Sequence, residues 1–202
     1  MRARYRGVLL MTTLVYVHGT NGSGKSTLAR AVLAAAGGAQ GVSKLASTPK
    51  ATWTHTGRAG VVLAGKYGTA CGGVDGMQPY AALHDVLKEN VAFVRNVFAE
   101  GLVTPGVGTC QTFASYFDRA VFILLDTPET ICIKNVLKRR AAKGTTKPYD
   151  PKNLYRKLAS ARSWADRIER AGLEVHRVQY RQAYNMALEL LGLPEPSVDD
   201  LL

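Results

Sequence analysis

Gly19, Gly24, Lys25 and Ser26 stand at the spacing G-x-x-x-x-G-K-[ST], in the run Gly19-Thr20-Asn21-Gly22-Ser23-Gly24-Lys25-Ser26 with Thr27 following. That spacing serves the holding of a polyphosphate. Glycines let the backbone wrap so that successive N–H groups point inward, and the positive end of the next helix adds to the field there. Lys25 is placed to reach the β- and γ-phosphates of ATP, and the Ser26 hydroxyl to ligate Mg²⁺. The flanks agree with this reading. Leu14 to His18 is a short β-branched run that predicts a buried strand, and Leu28 to Ala34 has the composition of a helix.

A phosphate-binding loop fixes nucleotide binding but not the acceptor. Glu100 and Asp126 each follow an apolar run, so either carboxylate could assist Mg²⁺ or the attacking hydroxyl. Glu100 is the preferred one, because Asp126 is followed at once by Thr127-Pro128, the chemistry of a helix start. Lys66 to Gly76 is a glycine-rich loop at the end of another strand, where backbone can approach a ligand closely. Lys138-Arg139-Arg140 to Lys147 joins two helices across a short loop. Arginines so placed can clamp a transferring phosphoryl group, and a hinge there can shut water out. The four histidines have no ligand spacing, His18 being expected to pack at its strand end. Trp53 and Trp164 could stack on bases, with packing at least as good a reading for each.

These groups need a scaffold. At 202 residues and 47% hydrophobic content the chain predicts one domain spanning 1–202, with 1–11 a flexible basic arm and 194–202 a loose acidic tail. Apolar runs at Leu14 to His18, Gly60 to Gly65, Asn96 to Gly101 and Ala120 to Leu125, with a last strand at Glu174 to Val178, alternate with helical patterns. These patterns are Leu28 to Ala34, Tyr80 to Val94, Thr109 to Phe117, the segment after Pro128, Leu154 to Ile168, and Tyr184 to Leu191. Gln40 to Arg58 reads as polar and irregular. The expected fold class is therefore α/β: a three-layer P-loop kinase fold with a parallel sheet of about five strands, helices on both faces and a basic lid segment. Ligands would collect at the carboxyl ends of the strands.

No apolar run approaches the roughly 20 residues that span a bilayer, so a cytoplasmic protein is expected. Three cysteines without C-x-x-C spacing favour free thiols over a disulfide framework or a zinc site. The net charge of +11 is concentrated: Lys134 to Arg181 holds 14 Lys or Arg against Asp150, Asp166, Glu169 and Glu174. Such clustering suits a polyanionic partner.

Four stretches together carry a resemblance. They are Gly19 to Thr27; Gly65-Lys66-Tyr67-Gly68-Thr69-Ala70-Cys71-Gly72-Gly73-Val74-Asp75; Phe98-Ala99-Glu100-Gly101-Leu102; and Arg139-Arg140 with Lys147-Pro148-Tyr149-Asp150-Pro151-Lys152-Asn153. The chain resembles, from about Leu14 to Val178, the bacteriophage 5-hydroxymethyluracil DNA kinases, P-loop enzymes of the nucleoside-monophosphate-kinase-like group. The resemblance implies transfer of phosphate from ATP to the hydroxymethyl group of a base already in DNA, a step in thymidine hypermodification, in the host cytoplasm if the chain is phage-encoded. It also implies roles for residues. Lys66, Tyr67, Cys71, Gly72, Gly73 and Asp75 would receive the base, Tyr67 by stacking, and Asp75 would take the hydroxyl proton. Glu100 would join Ser26 at Mg²⁺, Arg139 and Arg140 would form the clamp, and the basic last third would hold the DNA backbone. Two other readings stand beside it: a kinase of a free nucleotide or other small metabolite, and a nucleotide-dependent DNA-binding module without transfer chemistry.

Overall fold

The computed structural model describes residues 11–67, 73–77, 80–93, 95–102 and 104–194, together with the backbone of 4–5 and 8–9. The Gly68 to Gly72 part of the glycine loop, with Cys71, lies outside the described residues, as do Arg2, Arg6 and 195–202. Of the arm, Arg4–Tyr5 and Val8–Leu9 pair antiparallel as a small ribbon.

Seven strands form one sheet: β1 (Thr13–His18), β2 (Ala39–Lys44), β3 (Thr52–Thr56), β4 (Val61–Ala64), β5 (Asn96–Gly101), β6 (Arg119–Leu125) and β7 (Glu174–Val178). Their spatial order is β2-β3-β4-β5-β1-β6-β7. From β4 to β7 all neighbours are parallel, which matches the five expected strands. The chain leaves β1 toward β4 and β5, then returns across it to β6 and β7. The carboxyl ends of β1, β5 and β6 thus meet where the winding reverses, the place where such sheets bind ligands.

The alternation within β1 shows why the sheet is covered on both sides. Leu14 and Tyr16 face one core with Phe122, while Val15 and Val17 face the other with Ile123. The first core is closed by α2 (Ala81–Ala92), α3 (Val107–Ala114) and α5 (Lys152–Arg170), through residues such as Leu83, Phe113 and the fully buried Trp164. The second is closed by α1 (Lys25–Ala35) and α6 (Tyr180–Leu191), through Leu28, Val32 and Leu188. α4 (Glu129–Ala142) covers neither face; its Cys132 and Val136 pack with Leu154 of α5 in a small separate cluster. Among the described residues no helix is long and apolar enough to cross a membrane.

One expectation is corrected. Gln40 to Arg58 is not irregular: it holds β2 and β3, which add to the sheet antiparallel on the β4 side. Trp53, like Trp164, is a core residue. Cys110 and Cys132 are free and buried.

Candidate active site

Backbone conformation makes the loop after β1. Gly22 and Gly24 have φ of 78° and 102°, values that side-chain-bearing residues rarely adopt. A Cβ on Gly22 would also fall 2.4 Å from the Cys132 carbonyl oxygen, so α4 packs directly on the loop. α1 begins at Lys25 with no side-chain cap and no acidic residue in its first turn. Its first N–H groups and positive end are therefore left for an anion. Ser23 Oγ and Thr20 Oγ1 are buried without a hydrogen-bond partner among the described residues, which a phosphate oxygen would supply.

Lys25 Nζ donates to the carbonyls of Gly19 at 2.9 Å and Thr20 at 3.0 Å. Burial lowers its pKa, opposed by the nearby Glu100 and Asp75 carboxylates. Ser26 Oγ donates to Glu100 Oε1 at 3.2 Å. Glu100 is 2% exposed, and burial pushes its pKa up to about 7, with Lys25 pulling it down and Asp75 adding to the rise. Register explains the meeting: Glu100 on β5 pairs with Val17 on β1, one position before the strand end. A hydroxyl and a carboxylate are hard oxygen donors of the kind Mg²⁺ takes. Among the described residues no cluster of three or more His, Cys, Asp or Glu could hold a metal. Mg²⁺ carried on substrate phosphates needs only one or two carboxylates from the protein, so the residues present fit it.

Asp75 sits in a 3-10 turn (Val74–Gly76), and its Oδ1 accepts from Leu102 N at 2.7 Å. The turn is thereby pinned to the end of β5. Both carboxylates line one cleft of about 1230 Å³, with the loop residues Asn21 to Thr27, Lys66, Gly73, Arg139 and Lys143.

The other expected residues divide. Tyr67, expected to stack on a base, is 8% exposed and packed in the core against the α1 side, with burial raising its pKa. Arg139 lines the cleft, but Arg140 does not: it donates to the Lys147 carbonyl and lies over the Tyr149 ring at 5.7 Å. Consecutive helical residues point about 100° apart, so only one of the pair can face the cleft. Asp126 is bridged by Arg162 at 2.8 Å. His18 is buried, its pKa lowered to about 4 by burial; Nδ1 meets Gly101 O at 3.0 Å and Nε2 meets Thr104 Oγ1 at 3.3 Å. It ties β1 to the end of β5.

Two bracing residues escaped the sequence reading. Thr127, expected to cap α4, instead donates through Oγ1 to Ser23 O at 2.9 Å. Asn135 Nδ2 donates to Gly22 O at 2.8 Å. The signal for Asn135 was its place on the helical stripe Cys132, Asn135, Val136, Arg139, the face that α4 turns to the loop.

No protein-family model matches the chain. It is 28% identical over 183 residues to a protein named 5-hmdU DNA kinase from Pseudomonas phage PaMx11, covering 88% of this chain and 96% of that one. A protein of the same name from Delftia phage PhiW-14 is 26% identical over 181 residues, 79% of this chain and 65% of that one. Solved structures overlap more loosely. Deoxyadenosine kinase from M. mycoides, with bound dCTP, has a TM-score of 0.40 at 12% identity, covering 89% of this chain and 98% of that one. Shikimate kinase from Acinetobacter baumannii has 0.37 at 15% identity, covering 89% and 91%. In sequence, over most of its length, the chain is a relative of phage proteins named 5-hmdU DNA kinase.

Proposed function

We propose that this chain is a kinase that uses ATP and Mg²⁺ to phosphorylate the hydroxymethyl group of 5-hydroxymethyluracil in DNA, in the host cytoplasm. The observation that carries the reading is the single cleft that takes in Lys25, Ser26, Glu100 and Asp75. It joins a phosphate-binding loop to a second carboxylate positioned by another strand. Its volume of about 1230 Å³ exceeds the roughly 300–1,000 Å³ of a pocket for one small ligand, so a donor and an acceptor fit together. The names of the two phage relatives supply the acceptor.

In the proposed reaction the hydroxymethyl oxygen forms a bond to the γ-phosphorus while the bond from that phosphorus to the β–γ bridging oxygen breaks. The electron pair leaves with ADP, and the hydroxyl proton passes to the Asp75 carboxylate, whose orientation Leu102 N fixes. Lys25 would turn from its loop carbonyls to the phosphates. Ser26 and Glu100 would hold Mg²⁺, which when bound neutralises charge on the β- and γ-oxygens. Arg139 would meet the transferring group from α4. A base stacked in a duplex cannot reach a buried γ-phosphate, so the nucleotide must be flipped out or single-stranded.

The test is incubation with γ-labelled ATP and three acceptors: hydroxymethyluracil DNA, thymine DNA and free hydroxymethyl-dUMP. Label is expected on the first alone, because thymine lacks the attacking hydroxyl. Efficient labelling of the mononucleotide with the DNA unlabelled replaces this reading by a free-nucleotide kinase. ATP hydrolysis with no labelled acceptor replaces it by a nucleotide-dependent module.

A further inference from the structure

We propose that the DNA strand crosses the cleft on its β3–β4 side, over the turn joining β2 to β3, with Lys50 and Lys66 holding phosphates that flank the target nucleotide. The inference rests on the DNA-kinase reading; it puts the strand on the side of the cleft away from α4, instead of along the basic last third expected to hold the backbone, and adds a residue, Lys50, that contacts it.

Topology brings the two lysines together. β3 runs antiparallel to β4, with Trp53 opposite Ala64. The amino end of β3 therefore lies beside the carboxyl end of β4, and Gly65 N donates to Thr52 O at 2.8 Å. Lys50 stands two residues before Thr52 and Lys66 one residue after Gly65, so both emerge at the ligand-binding edge of the sheet. Both line the cleft, as does Arg30 from α1. β4 is two strands from β1, or about 10 Å at the usual strand spacing, on the side away from α4 with Arg139 and Lys143. Lys50 and Lys66, unlike Arg30, are thus set apart from the donor-phosphate loop. The acceptor base is itself uncharged, and Asp75 and Glu100 make the floor of the cleft acidic. Lys50 and Lys66 are placed at this wall for phosphates other than those of ATP.

A second hollow of about 400 Å³ opens behind the same turn, lined by Ser47, Thr48, Pro49, Lys50, Ala81 and Ala82. Pro49 and Lys50 border both hollows, so the turn stands at the mouth of the active cleft and separates the two. The turn is held in place: Thr48 Oγ1 donates to Asp85 Oδ2 of α2 at 2.6 Å, and Ala51 N to Thr48 O at 2.8 Å. Lys50 is exposed on this fixed base. A mononucleotide ends at its own phosphate, whereas an exposed lysine on the mouth of the cleft suits the next phosphate of a polymer.

The experiment has a binding arm that needs no phosphoryl transfer. Affinity for a single-stranded thymine oligonucleotide is measured by fluorescence anisotropy at several salt concentrations for the parent, Lys50→Ala and Lys50→Glu. The slope of log K against log salt should become shallower by about 0.7 for the lost contact in Lys50→Ala. In the activity arm, Lys50→Ala should raise KM for hydroxymethyluracil DNA and leave KM for ATP in place. Unchanged slopes, with the parent still labelling DNA, overturn the inference alone. An effect as large on hydroxymethyl-dUMP as on the oligonucleotide also overturns it, since Lys50 would then hold the target nucleotide's own phosphate. A parent that labels no DNA removes the DNA-kinase reading, and the inference with it.

Discussion

Gly73 lies against Glu100 so closely that a Cβ on it would fall 2.4 Å from the Glu100 carbonyl oxygen and 2.6 Å from Oε1. Its φ of 83° is itself a conformation that favours glycine. A Cβ on Gly65 would in turn meet Gly73 O at 2.4 Å. The end of β4, Gly73 and Glu100 are thus stacked one on another, with no room for a methyl group at either glycine.

Gly73→Ala should therefore displace Glu100 as well as strain the loop. Strain of this kind costs about 1–3 kcal/mol, so the thermal midpoint should fall together with kcat. A variant with the parent's midpoint and the parent's rate would mean that the loop is not seated on Glu100.

Asp75→Asn keeps an oxygen that can accept from Leu102 N, so the turn should stay in place while the proton acceptor is lost. The expected cost is about 10²-fold or more in rate with little change in thermal midpoint, the size of effect a general base commands. Asp75→Ala should lose both rate and local order. If Asp75→Asn instead preserves the rate and lowers the midpoint, Asp75 is scaffold.

What could be read beforehand divides along physical lines. The phosphate-binding loop and four of the five parallel strands were legible because both leave local marks: fixed glycine spacing in one case, and continuous apolar runs buried on two faces in the other; β7, Glu-Val-His-Arg-Val and only half-buried, leaves a weaker one. β2 and β3 were not. β2 is an edge strand, almost wholly exposed, with a register shift between Ala39 and Gly41, so its side chains show no alternation. β3 is Thr-Trp-Thr-His-Thr, polar by composition yet buried because threonine hydroxyls bond backbone: Thr54 Oγ1 donates to Gly65 O and Thr56 Oγ1 to Val61 O. The pairing of Ser26 with Glu100 across 74 residues, and of Lys50 with Lys66 at one edge, depends on strand order, which no local pattern encodes. Tyr67 was misjudged because a tyrosine beside a glycine loop looks available, whereas its ring fills the core.

The split between Arg139 and Arg140 gives a third prediction. Arg139→Ala should lower kcat more than it weakens ATP binding, since a group that meets the phosphoryl only in transit contributes little to the ground state. Arg140→Ala removes the contacts to Lys147 O and Tyr149 and should act through lid order, with a smaller loss in kcat. Steady-state kinetics of the two variants decide it. Equal losses in both, or loss of ATP affinity alone in Arg139→Ala, would show that the helix face does not separate their roles.

Glu100 gives a prediction in pH, measured without nucleotide and with divalent cations chelated. Its ordinary pKa of 4.5 is raised to about 7 in the fold. Between those values the folded chain keeps a proton that the unfolded chain releases, so stability falls as pH rises through this window. The full cost, roughly 3 kcal/mol from the size of the shift, is present above about pH 7. Glu100→Gln removes the titration and keeps the shape. The variant should melt close to the parent at pH 5 and clearly above it at pH 8, while losing phosphoryl transfer. His18 titrates in the acid range in both chains and cancels in the difference. Because Mg²⁺ takes the ionised carboxylate, binding of the magnesium nucleotide to the parent should release a proton near and below pH 7 and release less in Glu100→Gln. Calorimetry in buffers of different ionisation enthalpy reads that proton. A gap in thermal midpoint that stays constant from pH 5 to pH 8 would mean that Glu100 is not held protonated by its burial, and that the carboxylate beside Ser26 is ionised before any cation arrives.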